Sequence, residues 1–324
     1  MLNVALIGMG NIGLLFDINK KSKSALSHIK ALYLHKEFNL KYLVDIDDKH
    51  LKKVKKFFPN VKFCTNYQDI INNNDIDIVT VATPTSTHFT ILNDFSSNKN
   101  IKLYFMEKPL FNTKDEYKQI SKNIKNKIVV NYLRRFDKNI QKLKQQIKIN
   151  KYGTIQKIVI NYCKGLKNNG SHMIDMVNFL FNNPTIISSK ILSHTTGFNK
   201  LDLTYDIFIE IEYENNIIPL YFLGLDHTLY NIIEHNLYFE NKIVKYINSK
   251  SAIEYYDIVT DKNFLSYKVT SDIPKVKKVK TTKLMLKAYN DLANMIYKNK
   301  TNISSYKDEI ANIQFLSHIL KEGN

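Results

Sequence analysis

The chain has 324 residues, enough for one large domain or for two smaller ones. A hydrophobic fraction of 44% excludes a disordered chain, and no stretch approaches the roughly 20 apolar residues of a membrane helix. The net charge of +17 suggests a nucleic-acid partner, but all except two of the 47 basic residues are lysines scattered along the chain. A nucleic-acid interface usually has a clustered basic stripe with arginines. We therefore expect neither a nucleic-acid nor a membrane partner.

The first residues and the cysteines both bear on the cellular compartment. MLNVALIGMG has no basic leader and no cleavage site, so we expect a cytoplasmic protein. Cys64 and Cys163 are the only cysteines, and their spacing fits neither a disulfide framework nor a zinc site. We expect two buried thiols and no metal.

The first 130 residues alternate short β-branched runs with segments of helical spacing. The predicted strands are Asn3–Ile7, Leu40–Val44, Ile76–Ala82, Ile101–Met106 and Lys127–Tyr132. The predicted helices are Ala25–His35, Leu51–Phe58, His88–Phe95 and Asp115–Ile124. This alternation is typical of an α/β protein with a doubly wound parallel sheet, the Rossmann fold, which binds ligands at the carboxyl ends of its strands.

The pattern changes after about residue 135. Helices are predicted at Asp137–Ile149, Ser171–Phe181, Leu284–Tyr297 and Tyr306–Leu320, and strands include Ile155–Tyr162, Tyr205–Tyr213 and Ile217–Leu225. Partial alternation of acidic and apolar residues within these strands favours a large, mostly antiparallel open sheet with one wetter face. We predict a Rossmann domain over residues 1–131 and a second α/β domain, for substrate binding and oligomerisation, over residues 132–324.

A glycine loop follows the first strand directly. It reads Gly8-Met9-Gly10-Asn11-Ile12-Gly13, and the same pattern in a strand–loop–helix setting binds the pyrophosphate of a dinucleotide. The glycines serve a tight turn, a close approach of backbone to phosphate, and helix-to-strand packing. We predict cofactor contacts from Gly8, Gly10, Asn11, Ile12 and Gly13.

Asp45 ends the second strand, where a carboxylate can accept both ribose hydroxyls of an adenosine. Because it also repels a 2′-phosphate, NAD is favoured over NADP. Asp45 stands 32 positions after Gly13, where roughly 20 is usual. The segment Leu14–Ser24 is therefore interpreted as an insertion at the mouth of the cofactor cleft, a lid or a substrate contact.

Two further segments end predicted strands. Pro84 follows Thr83 and stops the strand, and Thr85 or Ser86 can cap the next helix, which has His88 in its first turn. Helix capping and cofactor contact, from Thr83, Pro84 and His88, are equal alternatives for this segment. Glu107 and Lys108 end the next strand and are predicted cofactor contacts. The lysine ammonium can also bind a substrate hydroxyl and stabilise an alkoxide, and Glu107 can pair with that lysine or with the cofactor. A surface Lys-Pro turn is the alternative.

These elements, in this order, resemble the glucose-fructose oxidoreductase, inositol dehydrogenase and rhizopine-catabolism (Gfo/Idh/MocA) family. The glycine loop, the strand-end aspartate, VATPTSTH and MEKP match its N-terminal domain. A second motif like D-x-G-x-H-x-x-D is represented by NNGSHMID, residues 168–175, and the final helix also resembles the family's. The resemblance thus covers essentially the whole chain. It also implies a cis peptide at Lys108–Pro109.

The resemblance implies oxidation of a hydroxyl, or the reverse reduction, on a sugar, sugar nucleotide or cyclitol. Lys108 would orient the reacting hydroxyl, and His172 would be the general base or acid, a role that suits its unperturbed pKa of about 6.5. Asp175 lies one turn after His172 and could fix the histidine tautomer. Asn168, Asn169 and Asp175 are predicted substrate contacts. Asn168 replaces the family's usual aspartate, and an amide cannot relay a proton.

Arg134 and Arg135 are the only arginines of the chain. Their planar, forked donors suit an anionic substrate group, and a buried inter-domain ion pair is the equal alternative.

The leading hypothesis is an NAD-dependent enzyme acting on CH–OH groups, a homodimer or homotetramer formed through the open sheet. A non-catalytic, dinucleotide-sensing regulator on the same fold is the alternative. Lys108 and His172 favour the enzyme, and Asn168 is the feature that supports the regulator as the alternative.

Overall fold

The computed structural model describes residues 1–17 and 24–321. Its strands are β1 Leu2–Ile7, β2 Phe38–Val44, β3 Lys62–Cys64, β4 Ile78–Val81, β5 Leu103–Met106, β6 Ile128–Val130, β7 Ile155–Cys163, β8 Thr185–Asn199, β9 Asp202–Tyr213, β10 Asn216–Leu225, β11 Glu234–Phe239, β12 Lys242–Ile247, β13 Ala252–Thr260, β14 Lys268–Thr270 and β15 Lys275–Lys278. Its α-helices are α1 His28–Leu34, α2 Leu51–Lys55, α3 His88–Asp94, α4 Lys114–Gln119, α5 Lys122–Lys125, α6 Lys138–Lys148, α7 Ser171–Leu180, α8 Leu284–Lys298 and α9 Tyr306–Lys321.

Contacts divide the chain into two compact units. The first unit comprises Met1–Phe136 with Thr281–Glu309, and the second comprises Asp137–Lys280 with Ile310–Asn324. The first unit is therefore discontinuous in sequence. The predicted single boundary at residue 131 therefore differs from the structure, in which α8 belongs to the first unit.

The first unit is built on a six-stranded parallel sheet in the order β3-β2-β1-β4-β5-β6. Strands with both faces covered are apolar throughout, and β4 and β5 have no exposed residue. The predicted doubly wound α/β fold is confirmed. The order reverses direction at β1, so the ligand crevice of such a fold lies at the carboxyl ends of β1 and β4.

One predicted helix of this unit is two helices in the structure. A capping box between Thr113 and Glu116 starts α4, as the sequence pattern favours. The backbone turns extended at Ile120 and Ser121, so α4 ends there and α5 begins anew. The helix breaks at Ile120, and the side chain of this residue is buried in the core.

The second unit is built on a nine-stranded sheet in the order β14-β13-β12-β11-β7-β10-β9-β8, with β15 also paired to β13. Only β7 and β10 pair in parallel, and the other pairs are antiparallel, as expected. Alternate isoleucines of β9, Ile207, Ile209 and Ile211, are fully buried between half-buried or exposed neighbours. In the described ranges, no helix combines the length and apolarity that crossing a bilayer requires.

Candidate functional site

The glycine loop connects β1 to a single π-helical turn at Asn11–Leu15. Gly8 has a φ of +105°, and a Cβ there would lie 2.7 Å from the Ala82 carbonyl oxygen. A Cβ on Gly13 would lie 2.2 Å from the carbonyl oxygen of Gly8. Gly10 is exposed, and a Cβ there would meet nothing within 4 Å. The first and third glycines are thus required by the protein's own packing, and the second faces open space.

Asp45 lies at the carboxyl end of β2 and reaches back to this loop. Its Oδ2 accepts the amide N–H of Met9 at 2.5 Å, and its Oδ1 accepts the amide N–H of Asp47 at 3.0 Å. The carboxylate is half-buried, so it is held by the loop while keeping an accessible edge. Asn11 is exposed at the start of the π-helical turn, and Ile12 packs partly on the core.

The predicted insertion Leu14–Ser24 is described only in part, because residues 18–23 lie outside the described residues. Leu14 belongs to the core, and Asp17 is buried. The Asp17 carboxylate accepts the amide N–H of Leu26 at 2.6 Å and the hydroxyl of Ser27 at 2.5 Å. Asp17 therefore ties together the two ends of this segment. A lid or substrate-contact role stays a prediction.

The segment after β4 carries Thr83 and Pro84 at the carboxyl edge of the sheet, half-buried and exposed respectively. A short 3-10 turn, Thr85–Thr87, precedes α3. The Thr87 hydroxyl donates to Thr83 Oγ1 at 2.7 Å or to the Pro84 carbonyl at 2.8 Å. Neither Thr85 nor Ser86 caps the helix, since α3 has no side-chain cap.

His88 begins α3 as expected, but its side chain faces the protein. The ring is buried, with Nδ1 3.0 Å from the Leu110 carbonyl and Nε2 3.0 Å from the Thr83 carbonyl. Both nitrogens are thus occupied by backbone, and neither remains for a ligand. The predicted direct cofactor contact of His88 is corrected accordingly: His88 links the Thr83 segment to the segment after β5.

Glu107 follows β5 and gathers three donors on its carboxylate. His28 Nε2 lies 3.0 Å from Oε1, the Asn131 amide donates to Oε1 at 2.6 Å, and the Lys108 N–H donates to Oε2 at 3.3 Å. Burial alone would raise the pKa of Glu107, but the hydrogen bonds from His28 and Asn131 and the charge of Lys108 hold this pKa below its ordinary value. Glu107 is therefore an oriented anion. His28 and Asn131 were not predicted as site residues.

Lys108 lies half-buried at the same strand end, and the Lys108–Pro109 peptide bond is cis, as predicted. The chain beyond it is held by Glu309, a fully buried carboxylate. Glu309 accepts the N–H of Leu110 at 3.0 Å and the hydroxyls of Tyr117 and Tyr132 at 3.0 and 2.8 Å. The start of α9 therefore supports the lysine segment from behind, a contact spanning 199 positions.

His172 is the second residue of α7, in the second unit, and is half-buried. A π-helical turn, Gly165–Gly170, leads directly into α7. The Asp202 carboxylate at the start of β9 accepts the N–H groups of Lys167 and Asn168 at 2.7 and 2.9 Å. Asp202 thus fixes the turn that presents His172, and sequence analysis did not identify it.

The other members of the second motif are partly engaged with the protein. The Asn168 amide donates to the Lys164 carbonyl at 3.3 Å, and Asn169 is half-buried. Asp175 is only 2% exposed, and its Oδ1 accepts the Asn312 amide at 2.8 Å. Burial against α9 corrects the predicted substrate contact of Asp175. Substrate contacts from Asn168 and Asn169, and tautomer control by Asp175, stay predictions.

The two arginines have different surroundings. Arg135 is buried, and its Nη1 donates to Asp308 Oδ1 at 2.8 Å and to the Ile303 carbonyl at 2.9 Å. Arg135 therefore serves a buried ion pair inside the first unit, which corrects both the predicted anionic ligand and the inter-domain pair. Arg134 is half-buried, and its substrate role stays a prediction.

The residues of the first unit fit a dinucleotide. The open space at Gly10 lets a pyrophosphate approach the backbone, and Asp45 offers its accessible carboxylate edge on the β2 side. Glu107 and Lys108 lie at the carboxyl end of β5, on the opposite side of β1. Among residues 1–17 and 24–321, no group of three His, Cys, Asp or Glu side chains is arranged to hold a metal ion.

Comparison with known proteins identifies the same features. The oxidoreductase family GFO_IDH_MocA, NAD-binding Rossmann fold, matches residues 2–133. No curated protein sequence matches the chain.

Solved structures share the fold over nearly the whole chain. A Sinorhizobium meliloti protein assigned as a myo-inositol dehydrogenase is 16% identical, with 99% of this chain and 97% of that one covered and a TM-score of 0.73. The MviM dehydrogenase of Clostridium difficile is 15% identical, with 99% of each chain covered and a TM-score of 0.70. A super-repressor mutant of Gal80p from Saccharomyces cerevisiae is 13% identical, with 99% and 96% covered and a TM-score of 0.74.

At these identities the structural likeness shows the fold alone, and the family match supplies the class. The resemblance inferred from the motifs is confirmed for residues 2–133, which match the NAD-binding Rossmann fold of the GFO_IDH_MocA oxidoreductase family. This match indicates an NAD-binding oxidoreductase.

Proposed function

We propose that this protein is an NAD-dependent enzyme that transfers a hydride between nicotinamide and a hydroxyl or keto carbon of a sugar, sugar nucleotide or cyclitol. One observation carries the proposal. The glycine loop, Asp45 and the Glu107–Lys108 pair follow the carboxyl ends of β1, β2 and β5, three strands of one parallel sheet. A dinucleotide lying along that edge has its adenosine half at β2 and its nicotinamide half at β5.

In the proposed reaction, the bound cofactor supplies the hydride chemistry. The Lys108 ammonium binds the reacting oxygen and stabilises negative charge on it. The His172 imidazole takes up the hydroxyl proton during oxidation and returns it during reduction. Asn168 hydrogen-bonds the substrate, but its amide cannot take up the proton of the reacting hydroxyl. The net charge of +17 favours anionic substrates, which supports a sugar nucleotide within this class.

The first experiment is a titration of the purified protein with NADH and NADPH, followed by fluorescence and by thermal shift. We expect tight NADH binding and weak NADPH binding, after which polyols, sugars and sugar nucleotides are screened with NAD. Folded, cofactor-free protein that binds neither dinucleotide would contradict the enzyme proposal.

The Asp45→Asn variant is expected to bind NADH about tenfold more weakly and NADPH more tightly than the wild type. Asparagine keeps an acceptor for the Met9 N–H, so the loop stays in place while the charge is lost. The loss of charge weakens the ribose contact and removes the repulsion of a 2′-phosphate. Fluorescence titrations with both dinucleotides measure the effect.

Asp47→Asn is the matched control, since Asp47 is an exposed carboxylate two residues away that accepts the Lys49 N–H. It is expected to leave both affinities within twofold. Equal changes in the two variants would show that general charge, and not Asp45, sets the preference.

A second candidate is a dinucleotide-sensing regulator without catalysis. Two observations favour it: Asn168 replaces an aspartate of the motif, and the fold is shared with a super-repressor mutant of Gal80p. This candidate predicts NADH binding without turnover of any compound in the screen, and an affinity for a protein partner that changes with NADH. Turnover of a polyol with NAD excludes it.

We further propose that the protein self-associates through the open sheet of the second unit as a homodimer or homotetramer. Exposed apolar side chains on this sheet support the proposal, among them Leu192, Phe198 and Ile217. Light scattering at micromolar concentration is expected to give twice or four times the monomer mass of 37.9 kDa. A monomer at that concentration would contradict the proposal.

A further inference from the structure

A chain of hydrogen bonds crosses the core of the first unit and ends at Glu107. His28 Nε2 lies 3.0 Å from Glu107 Oε1, and His28 Nδ1 lies 3.0 Å from the Tyr289 hydroxyl. The Tyr289 hydroxyl lies 3.3 Å from Thr80 Oγ1. The side chains of His28, Tyr289 and Thr80 are fully buried. Three elements, α1, α8 and β4, therefore converge on one carboxylate at the end of β5.

The ionised state of Glu107 determines which atoms donate and which accept in this series of hydrogen bonds. A carboxylate only accepts hydrogen bonds, so His28 must carry a proton on Nε2. The hydroxyls of Tyr289 and Thr80 can rotate to donate or accept, so they accommodate either state of Nδ1. The Nε2–H donor toward Glu107 is thus present whether the imidazole is neutral or charged.

Asn131 gives independent support for this polarity. Its Nδ2 donates to Glu107 Oε1, while its buried Oδ1 has no hydrogen-bond partner among the described residues. Rotating the amide by half a turn would direct its oxygen at the carboxylate. The amide therefore takes the orientation that Glu107 demands and leaves its own acceptor unsatisfied, which is the behaviour expected beside an anion.

We propose that His28 is a positioning residue for the nicotinamide half of the cofactor. It fixes the Glu107 carboxylate at the β5 edge and, through the Lys108 N–H, the backbone from which the Lys108 side chain emerges. This inference rests on the proposed function. His28 touches no predicted ligand and acts through Glu107. Glu107 follows β5, and β1 and β4 separate β5 from β2, the strand that ends at Asp45. The effect of His28 through Glu107 should therefore be confined to one half of the dinucleotide.

The test compares NADH with ADP-ribose, which lacks the nicotinamide. His28→Phe keeps the ring volume and the edge contacts with Phe105 and Tyr289 but removes the Nε2–H donor. We expect this variant to bind NADH about tenfold more weakly and ADP-ribose within twofold of the wild type. His28→Gln can place an amide N–H near the position of Nε2, and it is expected to restore NADH affinity to within threefold. Tyr289→Phe keeps the donor to Glu107 and is expected to behave like His28→Gln.

The outcomes separate the two proposals. If the wild type binds NADH no more tightly than ADP-ribose, both the positioning role and the enzyme proposal are contradicted. If the wild type prefers NADH and His28→Phe has unchanged affinities for both compounds, only the positioning role is contradicted. If His28→Phe weakens the binding of NADH and of ADP-ribose equally, the role of His28 is structural and the positioning role is contradicted. If His28→Phe does not fold, His28→Asn, too short to reach Glu107, is compared with His28→Gln. Equal NADH affinities in that pair overturn the inference.

Discussion

The His172→Asn variant is expected to turn over the substrate found in the screen about 10²–10⁴-fold more slowly than the wild type, the range that one general acid–base group contributes. Asparagine cannot take up the hydroxyl proton. NADH binding is expected to stay within twofold, because His172 belongs to the second unit and the dinucleotide contacts proposed above lie in the first. Steady-state kinetics at saturating NAD measure the loss.

His194→Asn is the matched control, an exposed histidine on β8 of the same unit. It is expected to retain full activity. Undiminished turnover in His172→Asn would remove the histidine from the mechanism, and attention would move to other groups of the α7 motif.

The Arg135→Met variant is expected to lower the free energy of unfolding by about 3 kcal/mol, the lower end of the usual cost of removing one partner of a buried ion pair. The lower end applies because the Asp308 side chain is 25% exposed. Methionine fills much of the space, but Asp308 and the Ile303 carbonyl lose their donor. Urea denaturation followed by circular dichroism measures the change. Arg134→Met, at the half-buried neighbouring position, is expected to cost less than about 1 kcal/mol by the usual size of surface effects.

The difference in the free energy of unfolding between the wild type and Arg135→Met should depend on pH. Burial alone would raise the pKa of Asp308, but Arg135 and Ser305 hold it below its ordinary value. A lowered folded-state pKa contributes stability that is present above the unfolded value of about 3.9 and is lost as the pH falls through the folded value. The destabilisation should therefore be full at pH 7 and shrink below about pH 4. A difference independent of pH would contradict the ion-pair assignment.

The cofactor half of the candidate site was predictable because its signals are local. The glycine loop, Asp45 and Lys108 each stand within a few residues of a strand end, so hydrophobic patterning places them at one edge of the sheet. The edge strand β3 was missed because Lys62–Cys64 has only three residues and none is fully buried. Such a strand carries no readable alternation.

The supporting residues were not predictable for a different reason. His28 and Tyr289 are 261 positions apart, and Glu309 stands 199 positions after Leu110, so nothing local in the sequence relates them. The error at His88 has the same origin. Its place in the first turn of α3 was correct, but only the tertiary structure shows that two backbone carbonyls occupy its ring.

The discontinuity of the first unit has a consequence for biosynthesis. Residues 1–136 leave the ribosome long before α8 and the start of α9, which complete this unit. Until then His28 has no Tyr289, Leu110 has no Glu309 and Arg135 has no Asp308. The nascent nucleotide-binding unit must therefore wait, with its sheet partly uncovered, while the intervening 144 residues of the second unit, Asp137–Lys280, are translated.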